Sequence, residues 1–72
     1  MFDNKILHNR IQKELENQDL SIAEFARITR ITEGGIRYIM KKSNPTAENL
    51  YNIAIALNVS VDYLLGLKNE RN

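Results

Sequence analysis

"LSIAEFARITRITEGGIRYIMKK", residues 20–42, decides the fold. Ser21 stands three residues ahead of Glu24, the spacing at which a hydroxyl and a carboxylate satisfy a first turn's free amides reciprocally, so a helix begins at Ile22. Thr32 is a second cap, ahead of "EGGIRYIMK", and the helix that follows covers residues 32–41. The connection, "TRI" or thereabouts, is about three residues long, and a link that short makes the two helices cross steeply. This is helix-turn-helix geometry. Ala26 falls where the crossing is closest, and Ile36 and Ile39, at i and i+3, face it. Gly34 and Gly35 sit in the first turn of the second helix, where each costs roughly 1 kcal/mol relative to alanine. Something must offset that cost.

The flanks are helical too. Within residues 4–18, Ile6, Leu7, Ile11 and Leu15 recur at helical spacing among Lys5, Arg10, Lys13 and Glu14. Thr46 caps "AENLYNIAIALN", whose apolar stripe is Leu50, Ile53, Ala54 and Leu57, and Asn58 suits the left-handed residue that ends it. Ser60 caps "VDYLLG", with Asp62 favourable in the first turn and Gly66 as the stop. The expected architecture is all-α: five helices and no strand in one compact domain over 1–72, with its core in 4–66 and a polar tail at 67–72.

Composition excludes several function classes. The chain has 72 residues, 43% of them hydrophobic and 26% charged, which suits one small globular core with little room for a deep cleft. It has no cysteine, hence no disulfide, thiolate site or cysteine nucleophile. The N-terminal "MFDNKILHNR" lacks a continuous apolar run, and no stretch reaches the 18 or so apolar residues of a membrane span. A soluble, cytoplasmic protein is expected. His8, the single histidine, lacks a local nucleophile or acid partner and reads as a surface residue on the polar side of the first helix. Glu14, Glu16 and Asp19 read as a solvated face. Neither a metal-ligand cluster nor a glycine-rich phosphate loop is present, so no enzyme activity, metal or cofactor is expected.

Charge is uneven. The net charge is +1, but residues 27–42 hold Arg27, Arg30, Arg37, Lys41 and Lys42 against Glu33 alone, making that window +4 and the remainder −3. Such a run is either a solvated face or an anion-binding one.

From Ile11 to Gly66 the chain resembles the lambda-repressor-like or Cro-type helix-turn-helix domains of phage and bacterial regulators (the XRE type). The resemblance rests on "LSIAEFA", "ITEGGIRYIM", "NPTAENLYNIAIALNVS" and "VDYLLG". It implies sequence-specific binding of double-stranded DNA by a transcriptional repressor of phage or mobile-element type, as a homodimer on a palindromic operator. Three positions depart from the family pattern. Ile22 replaces a glutamine whose amide reaches a phosphate. Arg30 replaces the turn glycine, at a cost of roughly 1 kcal/mol in a left-handed conformation. Thr29 stands where an apolar residue is common, with Ile28 as a substitute if the helix shifts slightly.

Site roles follow from the resemblance and a helical wheel. At about 100° per residue, counted from Glu33, the wheel places Ile36, Ile39 and Met40 on the buried side and Gly34, Arg37, Tyr38 and Lys41 on the opposite side, with Glu33 at its edge. An outward Gly34 lets the helix N-terminus approach a base edge or phosphate. Arg37 suits a bidentate contact to guanine, worth about 1–3 kcal/mol of discrimination. Glu33 either accepts from cytosine N4 or holds Arg37, four residues on. Tyr38 either contacts DNA or packs half-buried at the margin. Lys41, Lys42 and Asn44 are phosphate candidates, as are Ser21 and Arg10; for Arg27 and Arg30, solvation and phosphate contact are both open. Gly35, on the flank, reads as close packing on the preceding helix. The expected dimer surface is Val61, Leu64 and Leu67, with plain core the other reading of Leu64. The competing function is a protein-interaction module, antirepressor or antitoxin-like, that keeps the fold without DNA readout.

Overall fold

A computed structural model describes residues 2–41 and 44–72. Five helices follow in order: α1 (Asn4–Asn17), α2 (Ile22–Thr29), α3 (Glu33–Lys41), α4 (Ala47–Leu57) and α5 (Val61–Leu65). No strand occurs among the described residues.

Short polar side chains set each start. Asp3 accepts from the Lys5 N–H at 3.0 Å and caps α1. Both halves of the Ser21–Glu24 capping box form, the Glu24 N–H donating to Ser21 Oγ at 3.1 Å and the Ser21 N–H to Glu24 Oε1 at 3.0 Å. Thr46 and Ser60 cap α4 and α5 through the hydroxyl alone, accepting from the N–H of Asn49 at 3.1 Å and of Tyr63 at 3.0 Å. Left-handed residues set the stops: Arg30 at φ 63°, Asn58 at φ 57° and Gly66 at φ 83°.

The helices wrap one apolar core. α1 packs on α3 and α5, α2 on α3 and α4, and α4 on α5. Leu7 and Ile11 of α1, Phe25 of α2, Ile36 of α3, Ile53 and Leu57 of α4 and Leu64 of α5 meet at its centre. Each fully buried side chain of this size contributes about 1.5–3 kcal/mol relative to exposure. Ile6, expected in the stripe of α1, is exposed at its edge, and its side chain lies where a Cβ on Gly66 would fall, Cγ2 at 3.0 Å.

Glu14 is buried, not solvated. Positions 7, 11, 14 and 15 share one face of α1, so Glu14 occupies a core-facing position despite its charge. Its Oε1 accepts from Gln18 Nε2 at 3.0 Å and from Arg71 Nη2 at 2.8 Å, while its Oε2 has no partner. His8 also departs from a plain surface residue: it is half-buried, and its Nε2 is enclosed without a hydrogen bond.

Residues 67–72 are tied down. Arg10 stacks its guanidinium over the Tyr63 ring, 4.4 Å from the centroid, and donates to the carbonyls of Tyr63 and Lys68, the latter at 2.6 Å, and to Asn69 Oδ1 at 3.2 Å. The Ser60 N–H donates to the Arg71 carbonyl at 2.7 Å. Having left α5 at Gly66, the chain therefore runs back to the start of that helix.

Candidate nucleic-acid interface

The turn between α2 and α3 is Arg30, Ile31 and Thr32. Arg30 adopts the left-handed conformation that the family resemblance assigns to glycine, φ 63° and ψ 27°, and its N–H donates to the Ala26 carbonyl. Thr29 fills the apolar position itself, because its hydroxyl is satisfied within the helix: it donates to Phe25 O at 2.8 Å and Ala26 O at 3.2 Å and accepts from the Ile31 N–H at 3.3 Å. A buried hydroxyl so bonded costs little. Ile28 stays exposed, so no compensating shift of α2 occurs.

α3 then starts on the Thr32 cap, whose Oγ1 accepts from the Gly35 N–H at 2.9 Å. Ile36 and Ile39 are buried and Met40 packs beside the core, while Glu33, Gly34, Arg37, Tyr38 and Lys41 share the solvent side. This is the division the helical wheel predicts. A Cβ on Gly34 would meet nothing within 4 Å, so the α3 backbone lies open at that residue. A Cβ on Gly35 would fall 2.9 Å from Ile31 Cγ2 and 3.0 Å from Thr32 Oγ1. Gly35 thus accommodates the turn that caps its own helix, not α2. Tyr38 is 61% exposed, which removes the half-buried reading.

Arg37 Nη2 lies 3.5 Å from Glu33 Oε1, one turn along the exposed face. The pair holds the guanidinium at the outward surface without enclosing it. Lys41 adds a cation at the C-terminal end of the same face. Asn44 is exposed and accepts from Asn4 Nδ2 at 3.3 Å, tying the segment after α3 to the start of α1. A half-buried asparagine at a helix start carries no signal for such a contact in sequence. At the head of α2, Ser21 is exposed, and its amide and hydroxyl hold the Glu24 carboxyl below the usual carboxylate range, with Arg27 adding to the effect. Ile22 is partly buried against the core, where it contributes packing in place of an amide.

Other expected site residues fall elsewhere. Arg10 directs its guanidinium to Tyr63, Lys68 and Asn69 of its own chain, which removes it from the phosphate candidates. Leu64 is fully buried and belongs to the core rather than to a dimer surface, whereas Val61 is half-buried and Leu67 is 74% exposed. Lys42 lies outside the described residues.

Comparison with known proteins gives consistent results. A protein-family model described as helix-turn-helix matches residues 11–64. The structure is similar to that of the P22 c2 repressor protein in complex with the synthetic operator 9T, with a TM-score of 0.77 and 25% identity, covering 82% of this chain and 91% of that one. It is also similar to the N-terminal DNA binding domain of SinR from Bacillus subtilis, with a TM-score of 0.81 and 25% identity over 92% of this chain and 99% of that one. The solution structure of the P22 c2 repressor DNA-binding domain shares the fold at a TM-score of 0.81 and 22% identity, covering 97% of this chain and 91% of the other. No curated protein matches the chain.

Proposed function

The chain belongs to the lambda-repressor-like helix-turn-helix family, and from that premise we propose that it is a sequence-specific DNA-binding transcriptional regulator, a repressor of phage or mobile-element type acting as a homodimer on a palindromic operator. The observation that carries the reading is the exposed face of α3. Glu33, Gly34, Arg37, Tyr38 and Lys41 lie together on it, with the backbone bare at Gly34 and Ile36 and Ile39 anchoring the opposite side. A helix so presented enters a major groove N-terminus first.

Within the groove each group has a chemical task. Arg37 reads guanine O6 and N7 through its planar fork, and Glu33 orients that fork or accepts from cytosine N4. Tyr38 offers a ring for a thymine methyl and a hydroxyl for a phosphate. Ser21, Lys41 and Asn44 bind phosphates and set register without reading sequence. Association places two such helices one helical turn of DNA apart, about 34–36 Å. Val61 and Leu67 supply its apolar contact, joined by Phe2 and Ile6 across the cleft that Leu67 borders.

A second reading, a protein-interaction module, is favoured by one observation: exposed Ile28 and Ile55 border a cleft between α2 and α4 with Arg30 and Glu48. Salt separates the two readings. Neutralising several phosphates makes affinity fall steeply as salt rises, and an apolar protein contact barely responds. Titration against genomic DNA fragments at two salt concentrations should show tight binding that weakens with salt; no retained DNA at low salt overturns the regulator reading.

A further inference from the structure

We infer that residues 67–72 form a strap that opens and closes as a unit separate from the rest of the fold, locked by two arginines of opposite polarity in sequence. Arg10 reaches out from α1 to the strap at Lys68 O and Asn69 Oδ1, and Arg71 reaches back from the strap to Glu14 of α1. Between the locks, the Arg71 carbonyl accepts from the amide of Ser60, the cap of α5. The strap thus spans the five residues of α5 from exit to entry.

Its attachment is polar throughout. Leu67 is 74% exposed, Asn69, Glu70, Arg71 and Asn72 are exposed and Lys68 is half-buried, so the strap buries little apolar surface. A segment held only by polar contacts at the surface belongs to the low end of local stability and opens before the core does. The inner lock adds a bias of its own. Glu14 is buried with Oε2 unpartnered, so the closed lock leaves part of a buried carboxylate unsatisfied and holds less tightly than a fully bonded pair. The same lock makes closure specific, because Arg71 is the cation that compensates the buried carboxylate.

The consequence for function rests on the reading that the protein associates through Val61 and Leu67. Strap closure fixes the backbone immediately after Gly66 and so sets where Leu67 projects. Opening it loosens the association surface while leaving α3, which packs on α1 and α2, intact.

The amide of Ser60 reports the strap directly, since its acceptor is Arg71 O. In hydrogen exchange by NMR without DNA, Arg71→Gln is expected to speed exchange at Ser60 roughly tenfold or more, with the amides of Ile39 and Leu57 unchanged within about twofold. Glu14→Gln, which keeps the shape of the buried side chain, should have the same selective effect, and Arg71→Lys a smaller one. Unchanged Ser60 exchange in both Gln variants overturns the proposal, and so does a uniform rise across all helices, which would make the tail part of one cooperative unit. Sedimentation of Arg71→Gln should show weaker association, and equal association overturns the link to Leu67. Because exchange is read without DNA, failure of the DNA-binding reading leaves the strap test standing.

Discussion

Glu33 and Arg37 face one another across a single turn of α3, carboxylate to guanidinium at 3.5 Å, on the side of the helix away from the core. Both side chains are about half exposed, so the pair contributes little to stability, about 0.3–0.5 kcal/mol. On the proposed reading its use is orientation. Glu33→Ala should therefore leave the unfolding midpoint nearly unchanged yet shift base preference at the position Arg37 reads, as measured by selection of bound sites from random DNA.

Arg37 and Lys41 should separate cleanly. Arg37→Ala is expected to cost about 1–3 kcal/mol on the preferred site and little on unrelated DNA, which relaxes specificity. Lys41→Ala should weaken binding to all DNA alike and reduce the slope of affinity against salt by about 1. Equal losses on all sequences in both variants would falsify the reading of Arg37 as a base reader.

The two glycines should also diverge. Gly34→Ala adds a methyl into open space and should stabilise the fold by roughly 1 kcal/mol, while placing that methyl on the face that the proposed reading turns to DNA. Gly35→Ala meets the β-branched Ile31 methyl at 2.9 Å and should lower stability or gain nothing. Denaturant unfolding and DNA titration of both variants check this. Normal DNA binding by a stabilised Gly34→Ala leaves the open backbone without a functional role.

Arg30 carries a local cost that can be removed. Its φ of 63° strains any residue with a Cβ, so Arg30→Gly should relieve roughly 1 kcal/mol, partly offset by the greater freedom of glycine in the unfolded chain. Thermal unfolding gives the net sign. A large loss of stability would show that the Arg30 side chain makes contacts that matter more than its backbone.

Acid should act at the head of α2. Glu24 is held below its ordinary value of 4.5, first by the Ser21 amide and then by the Ser21 hydroxyl. A lowered folded value means that the carboxylate contributes stability at pH above 4.5, and that this contribution fades as pH falls from there through the lower folded value. Glu24→Gln should flatten the pH dependence of stability across that window without changing its course above pH 6, where about all of the carboxylate is ionised in both states. An unchanged acid limb in the variant assigns the effect elsewhere.

The helices and the α2–α3 turn were legible in the sequence because their causes are local. Capping hydroxyls, left-handed stops and a stripe repeating every three or four residues act within one or two turns, so Ser21, Thr32, Asn58 and Ile36 and Ile39 could be placed without knowing what they pack against. The sequence by itself thus determined five helices, a short crossing link and an outward face on α3 bearing Gly34 and Arg37.

Tertiary structure alone decided what required partners distant in the chain. Glu14 and Arg71 are 57 residues apart, and Arg10 and Lys68 are 58 apart. No periodicity relates such pairs, so in sequence Glu14 reads as solvated, Arg10 as a phosphate candidate and residues 67–72 as a polar tail. Folding brings α5 against α1 and with it the returning chain, which turns a surface acid into a buried anchor and an apparent DNA contact into a clamp. Thr29 needed the same information on a shorter scale. Burial is a property of the assembled core, and its hydroxyl is tolerable there because the helix beneath it supplies two carbonyl acceptors.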